Sequence, residues 1–285
     1  MLLHHIAVIA AAVSIGLGPE TRLTPPGPPA PAPSPQYTAR VASNGSDFVA
    51  VWSDAREGDL LSLYASRLDA EGRPVEPFGT RVPGFAWAQI ASNGDGYLIV
   101  DNRKAQRLDE NGRPLGQPHA IPAETMPMAL ASNGSTYLSV GSSLGGIPLS
   151  AAMLFDRDGT PLRTIQLPPR MFVWLGAYGG RYVLITAAQS CNPIPCRASL
   201  HLHLIDDSGA VVERELGTVV GSRIAAAASR DRILMAGSNA PAVADVEFTI
   251  VDYDGNLVNK AKATTLVNRE ISDFDAAWDG QRFLL

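Results

Sequence analysis

The sequence predicts an all-β fold, a β-propeller of four-stranded antiparallel blades with five complete blades and the first hairpin of a sixth. The phrase Ala-Ser-Asn-Gly begins at Ala42, Ala91 and Ala131. An Asp-x-x-Gly turn follows in each of five units and begins at Asp69, Asp109, Asp156, Asp206 and Asp252. One unit therefore recurs about every 40 to 50 residues, which is typical of a repeat architecture.

Each unit contains two tight turns that depend on glycine. The first turn lies near Asp231 in a degraded copy and otherwise at Gly45, Gly94, Gly134, Gly180 and Gly280. Asn-Gly, Gly-Gly and Asp-Gly pairs supply the positive φ that a tight hairpin needs, and apolar residues flank each pair. Each unit is therefore predicted to form two hairpins, which makes four strands.

The four strands of a unit are predicted to run from the axis of the ring to its rim. The first is rich in small residues, as in 40–43 and 224–228, which suits a crowded position near the axis. The second is almost wholly apolar, as in 97–100, so we expect it to be buried on both faces. The third alternates, as in 200–204, and the fourth carries prolines, as in 73–77, which places it at the outer edge.

These motifs resemble those of a group of secreted bacterial β-propeller repeat proteins. Their pattern is Ala-Ser-Asn-Gly, an apolar strand ending near Trp-x-Asp-x-Arg, and an Arg-x-Asp-x-x-Gly turn. The best match runs from Ala42 to Gly72 and includes Trp52, Asp54 and Arg56, whereas the fourth and fifth units depart from the first-turn pattern. The resemblance covers the chain from Gln36 onward and implies a propeller fold and an exported location, but no particular ligand.

Composition and the N-terminal segment limit the classes to which the protein can belong. The chain has 285 residues, a net charge of −5 and 18% charged residues, so it lacks the basic excess that attracts nucleic acid, which we exclude as the main partner. The apolar stretch from Ile6 to Leu17 is too short to span a bilayer and fits a signal peptide, with an ordinary apolar segment as the alternative. We therefore expect a secreted, periplasmic or cell-surface protein with no transmembrane span in its mature form.

Three segments follow from this organisation. Residues 1–20 are the predicted export segment, residues 21–36 are a proline-rich linker, and residues 37–285 are the propeller. The predicted blades cover roughly residues 37–83, 84–122, 123–168, 169–217 and 218–266, with a partial blade at 267–285. Because the sequence stops inside an apolar strand, we expect the natural protein to continue for at least half a blade.

The links between strands predict where a ligand binds. The two hairpin turns of a blade lie on one face of the ring, the turn face, and the second-to-third strand links and blade-to-blade links lie on the other, the loop face. The turns are short and alike, whereas the links at 54–60, 141–148, 188–197 and 237–243 vary. Variable loops on a rigid scaffold usually carry binding, so a protein or glycan ligand is expected on the loop face, near the mouth of the axial channel.

Five residues are candidates for contacting that ligand. Trp52, Asp54 and Arg56 combine an aromatic ring, a carboxylate and a guanidinium, which together can grip a sugar or a peptide. The second unit keeps Asp101 and Arg103 of this set. The alternative is a buried Trp beside a surface ion pair, and such pairs contribute little stability.

No metal or cofactor is predicted. The turns at 156–159 and 252–255 resemble the start of a calcium loop, but they lack the third acidic position and the distal Glu that such a loop needs. Asp and Gly in a hairpin turn account for both sequences without an ion.

The two cysteines, Cys191 and Cys196, are predicted to form a local disulfide. They enclose two prolines that stiffen the loop, and an exported protein meets an oxidising compartment. A zinc site with the nearby His201 and His203 and a pair of free thiols are the alternatives.

The predicted function is that of a secreted or envelope-attached binding and interaction module. The sequence contains no phosphate loop and no His-Glu-x-x-His motif. The alternative is a carbohydrate-active or other hydrolytic propeller enzyme, whose acidic pair would have to come from different blades.

Overall fold

The computed structural model describes residues 36–56, 61–69, 71–122, 125–143, 148–191, 196–221, 223–238, 245–264 and 275–284. The predicted export segment lies outside these residues, as does the linker except for Gln36. Within the described ranges the chain forms strands joined by turns, and none of it is a helix long and apolar enough to cross a bilayer.

Antiparallel sheets, each built from consecutive strands, make up the described structure. Blade 1 consists of β1 (Gln36–Ser43), β2 (Phe48–Asp54), β3 (Ser62–Leu68) and β4 (Thr80–Val82). Blade 2 consists of β5 (Gln89–Ser92), β6 (Tyr97–Val100), β7 (Lys104–Leu108) and β8 (Pro114–Ala120). Blade 3 consists of β9 (Thr125–Ser132), β10 (Tyr137–Ser143), β11 (Leu149–Phe155) and the first part of β12 (Pro161–Tyr178).

The remaining sheets repeat the same order. Blade 4 consists of the second part of β12, β13 (Arg181–Ser190), β14 (Arg197–Ile205) and β15 (Val211–Val220). Blade 5 consists of β16 (Arg223–Ala228), β17 (Arg232–Ser238), β18 (Asp245–Asp252) and β19 (Leu257–Thr264). A final hairpin consists of β20 (Ala277–Trp278) and β21 (Phe283–Leu284).

Strand β12 belongs to two blades. Up to Arg170, which pairs with Leu149, it is the outer strand of blade 3, and from Met171, which pairs with Ala187, it is the inner strand of blade 4. Its 18 residues thus link the third and fourth blades into one seven-stranded sheet without a separate loop between them.

The first strands of the blades surround an axis. Strand β1 contacts β5, β5 contacts β9, β9 contacts β12, β12 contacts β16, and β16 contacts β20. Each first strand starts on the loop face and ends at the first turn, on the turn face. The predicted propeller of five complete blades and one further hairpin is therefore confirmed, with the small-residue strands innermost.

The core consists of layers between neighbouring blades. All four residues of β6 are buried, because blades 1 and 3 cover the two faces of blade 2. In β2 the pattern alternates: Val49 and Val51 face blade 2 and are fully buried, whereas Phe48 on the opposite face is 46% exposed. Burial on both faces therefore depends on a neighbouring blade on each side.

The repeated turn residues connect one blade to the next. The Tyr97 hydroxyl of blade 2 donates a hydrogen bond to the Asp47 carbonyl in the first turn of blade 1, at 3.3 Å. The Asn133 amide in the first turn of blade 3 donates to the Asp207 carboxylate in the second turn of blade 4, at 2.6 Å. The repeated Asn-Gly and Asp-x-x-Gly turns thus interlock on the turn face.

Second-turn glycines also pack on the preceding blade. Gly159 has a φ of +86°, and a Cβ atom at this position would lie 2.6 Å from Cδ1 of Leu98 in blade 2. Gly72 of blade 1 has a φ of +76°, but no atom lies within 4 Å of the equivalent point. In blade 3 the glycine is therefore required both by its positive φ and by the close packing of Leu98. In blade 1 it is required only by its positive φ.

The predicted fourth strand of blade 1 is wrong in position. Instead of residues 73–77, the strand is β4 at Thr80–Val82, and Pro74 makes only an isolated bridge with Leu68. Pro74 and Pro77 have no N–H to donate to a neighbouring strand, so regular pairing begins only after them.

Candidate functional site

The first strands of four blades surround a cavity of about 750 Å³ at the loop-face end of the axis. Its size lies within the range of about 300 to 1,000 Å³ that is usual for small-molecule sites. The described residues that line it are Tyr37, Thr38, Arg40, Ser53, Leu61, Trp87, Ala88, Gln89, Met126, Pro127, Met128, Ser142 and Phe172.

Five of the thirteen described side chains that line the cavity are aromatic or carry a thioether. Tyr37 comes from β1, Trp87 from the link that precedes β5, Met126 and Met128 from β9, and Phe172 from β12. Tyr37 is 50% exposed and Met126 is 48% exposed, so part of the apolar wall is open to a ligand. Rings and thioethers of this kind offer large, adaptable contact surfaces.

A bulge in β1 directs two of its side chains to the same side of the sheet. Tyr37 pairs with Ser53, and the next pair joins Arg40 to Val51. Between these two pairs β1 has two residues, whereas β2 has only one. Thr38 in the bulge has a φ of +44°, which is unfavourable for a β-branched residue. Tyr37 and Arg40 would lie on opposite faces of a regular strand, and the bulge places both at the cavity.

A chain of hydrogen bonds runs from Arg40 in blade 1 through blade 2 to blade 3. The Nε of Arg40 donates to Oε1 of Gln89 at 3.2 Å, and Gln89 Nε2 donates to the carbonyl of Pro127 at 3.4 Å. Arg40 Nη1 donates to the carbonyl of Ala39 at 2.9 Å. Within the described part of the chain, no carboxylate lies within ion-pair distance of this guanidinium.

The sequence-predicted residues Asp54 and Arg56 pair with each other beside this cavity and do not line it. Asp54 is fully buried. The backbone N–H of Arg56 donates to its Oδ1 at 2.8 Å, and Nε donates to its Oδ2 at 2.9 Å; Nη2 of Arg56 also contacts Oδ2. The side-chain hydrogen bond from Arg56 lowers the pKa of Asp54, against the opposing effect of burial. Arg56 also lies over the Tyr64 ring at 4.0 Å.

Trp52, the third member of that set, packs within its own blade. Its ring stacks on Tyr64 with a centroid distance of 6.2 Å, and a Cβ atom at Gly79 would lie 2.4 Å from the edge of the indole. The indole Nε1 is buried and has no hydrogen-bond partner in the described structure. The half-buried ring thus covers the outer strands of blade 1.

In blade 2, Asp101 organises the turn after β6. Its Oδ1 accepts hydrogen bonds from the backbone N–H groups of Arg103 at 2.7 Å and Lys104 at 2.8 Å. Burial raises the pKa of Asp101, and these hydrogen bonds oppose the rise. Arg103 is exposed, and its carbonyl accepts from the N–H of Ile121 at 2.7 Å. A ligand contact by any of the five predicted residues stays a prediction.

The predicted disulfide between Cys191 and Cys196 is present, in the link between β13 and β14. The Cys196 carbonyl accepts a hydrogen bond from the N–H of Gly221 at 2.9 Å, which ties the loop to the end of blade 4. Residues 192–195 lie outside the described residues. With both sulfurs in the disulfide, neither is available as a zinc thiolate.

His201 and His203 face blade 3 from β14, away from the cysteines. His203 is 1% exposed, and its Nε2 lies 2.9 Å from the Thr186 hydroxyl. Its Nδ1 lies 3.9 Å from Glu213, whose carboxylate also meets His201 at 3.1 Å and Arg170 at 2.7 Å. No group of three or more His, Cys, Asp or Glu residues arranged to hold a metal occurs among the described residues.

Sequence reasoning did not identify the residues that line the cavity. The available signal was positional, because Tyr37, Gln89, Met126 and Phe172 all lie at or next to the start of an inner strand, at the loop-face end. Arg40 was not recognisable, since its position depends on the bulge in β1.

Comparisons with solved structures that reach a TM-score above 0.5 support the fold alone. No family model matches the sequence, and no curated protein matches it. The Pyrococcus horikoshii acylaminoacyl peptidase aligns with a TM-score of 0.54 and 12% identity over 86% of this chain and 41% of the peptidase. The neuraminidase-like protein of an isolate from a Peruvian flat-faced bat aligns with a TM-score of 0.52 and 10% identity over 88% of this chain and 80% of that protein. The Neurospora crassa Pan2 WD40 domain aligns with a TM-score of 0.49 and 13% identity over 88% and 72%.

Proposed function

We propose that the protein is a secreted or envelope-attached binding module that holds its ligand in the axial cavity on the loop face. The observation that carries this proposal is the cavity of about 750 Å³ with its aromatic and thioether wall. The N-terminal apolar segment and the disulfide support an exported location, because disulfides persist in oxidising compartments.

The chemistry of the wall favours an apolar ligand or an apolar part of a larger one. Burial of apolar surface contributes roughly 25 cal/mol per Å², and rings add stacking contacts. The groups around the cavity are aromatic rings, thioethers, aliphatic side chains, hydroxyls, an amide and a guanidinium, which bind by packing and hydrogen bonding.

A larger protein or glycan ligand extends this proposal to the rest of the loop face. Trp52, Asp54, Arg56, Asp101 and Arg103 lie at or beyond the loop-face ends of β2 and β6. We propose Trp52, Arg56 and Arg103 as contacts for the part of such a ligand that reaches past the cavity, with the buried Asp54 and Asp101 holding Arg56 and the turn that carries Arg103.

Fluorescence titration with the neutral dye N-phenylnaphthylamine tests the cavity. We expect one molecule to bind per chain, and Met126→Glu to weaken binding at least tenfold because it places a carboxylate in the apolar wall. Phe48→Glu is the matched control, because Phe48 is equally exposed but lies on blade 1 at the turn face. Thermal unfolding verifies that both variants fold.

Equal loss of dye binding in the two variants, or no saturable binding to the unchanged protein, contradicts the proposal. A glycan array and a panel of chromogenic substrates then extend the test to natural ligands. Binding without turnover supports the module, whereas turnover supports the alternative, a carbohydrate-active or other hydrolytic propeller enzyme.

A further inference from the structure

Arg40 is a positioned cation at the edge of an apolar cavity. We propose that the ligand is a small organic acid, with an aromatic or aliphatic body in the cavity and a carboxylate or sulfonate bound by Arg40. This inference rests on the proposed binding function and adds the chemical class of the ligand.

The hydrogen bonds of Arg40 leave part of its guanidinium available. Nε is held by Gln89 and Nη1 by the Ala39 carbonyl, whereas Nη2 has no hydrogen-bond partner in the described part of the chain. An anion that approaches Nη2 therefore meets a donor whose orientation is already set by its neighbours. Charge-assisted hydrogen bonds of this type are stronger than neutral ones.

The surroundings of Arg40 favour the binding of an anionic ligand. Arg40 is itself exposed, and an ion pair between exposed groups contributes little. When the body of a ligand packs against Tyr37 and Trp87, water is excluded from that side of the anion, so its attraction to Arg40 is screened less. No protein carboxylate neutralises the guanidinium among the described residues, although the chain as a whole carries a net charge of −5. A ligand that brings its own negative charge thus complements a local positive site.

The backbone conformation of β1 is what positions Arg40 at the cavity. The bulge brings Arg40 to the same face as Tyr37, and it does so with an unfavourable positive φ at Thr38. The Thr38 hydroxyl lies 3.0 Å from the Ser53 hydroxyl, and the two side chains also line the cavity. A guanidinium, two hydroxyls and an apolar wall form a site with one charged end and one apolar end.

Two dyes with the same ring system separate this inference from the proposed function. N-phenylnaphthylamine is neutral, and anilinonaphthalene sulfonate carries one negative charge on the same framework. We expect the unchanged protein to bind the sulfonate at least tenfold more tightly, and Arg40→Met to abolish that preference while binding of the neutral dye stays within twofold. Arg40→Lys should retain part of the preference, because it keeps the charge without the fork of donors.

Arg197→Met is the matched control, because Arg197 is also an exposed arginine and lies at the loop-face start of β14. It should leave the preference for the sulfonate unchanged, and benzoate and hexanoate should displace the sulfonate from the unchanged protein more effectively than benzyl alcohol and hexanol. If the neutral dye binds and the sulfonate binds no more tightly, or if Arg197→Met rather than Arg40→Met removes the preference, the inference is overturned and the proposed function stands. If neither dye binds, both are overturned.

Discussion

His203 is a buried imidazole in the layer between blades 3 and 4. Its pKa is lowered to about 4, mainly by burial; the negative charge of Glu213 opposes this shift, and the positive charges of Arg170 and His201 add to it. Glu213 is affected by burial, which raises its pKa, but its hydrogen bond and charge interaction with Arg170 outweigh that effect and lower it. The imidazole is therefore neutral in the folded protein at neutral pH.

This burial predicts a pH-dependent stability. Between about pH 6.5 and pH 4 the unfolded chain binds a proton at His203 and the folded chain does not, so the free energy of unfolding falls as the pH falls. A shift from 6.5 to about 4 corresponds to about 3 kcal/mol at full effect. Urea unfolding at a series of pH values measures it.

The variant His203→Gln should flatten this dependence, although it lowers stability at neutral pH. His119→Gln is the control, because His119 lies in the outer strand β8 of another blade, and it should leave the dependence unchanged. A slope in His203→Gln equal to that of the unchanged protein shows that other groups cause the acid sensitivity.

Trp52 offers a second test at the residue scale. Because its ring packs on Tyr64 and against Gly79, we expect Trp52→Ala to lower the free energy of unfolding by about 3 kcal/mol and to leave dye binding within twofold. Trp87→Ala, which removes a wall of the cavity, should instead weaken dye binding at least tenfold. Loss of ligand binding without loss of stability in Trp52→Ala supports the sequence prediction that Trp52 contacts ligand.

At the scale of elements, the hairpin turns act as joints between blades. The first turn of one blade bonds to the second turn of the next, as Asn133 does to Asp207. Tyr178 in the first turn of blade 4 stacks on Tyr253 in the second turn of blade 5, with ring centroids 3.9 Å apart. The repeated turn sequences therefore encode blade packing, which explains why they carry no catalytic signature.

Matched glycine substitutions test this role of the turns. Gly159→Ala and Gly72→Ala share the cost of a positive φ, but only at Gly159 does the new Cβ meet the buried Leu98 of the preceding blade. We expect Gly159→Ala to be more destabilising by about 1 to 2 kcal/mol in chemical unfolding. Equal losses in the two variants mean that the turn conformation alone determines the cost.

On the scale of the whole molecule, the two faces of the ring have different tasks. The inner strands begin at the cavity on the loop face and end at the interlocking turns on the turn face. The turn sequences repeat because the same contacts connect each blade to the next. The link sequences vary because a link only has to join two strands or two blades. A single cavity on the axis can thus draw side chains from several blades, from Tyr37 in blade 1 to Phe172 in blade 4.

The strands, the turns and the blade order were predictable from the sequence because local patterns encode them. Positive φ at Gly45 and Gly94 follows from the Asn-Gly pairs, and full burial of β6 follows from its unbroken apolar run. The position of β4 was predicted incorrectly, because composition identifies an outer edge strand but does not show where its hydrogen bonding begins.

The tertiary structure alone determined the cavity. Its side chains lie about one repeat apart in the sequence, and they converge only because the first strands of successive blades surround one axis. Arg40 joins them because a bulge changes its side of β1, a local irregularity that no periodic pattern predicts. The sequence by itself determined which strands form and how they follow one another, since these depend on near neighbours, whereas the site depends on distances across the ring.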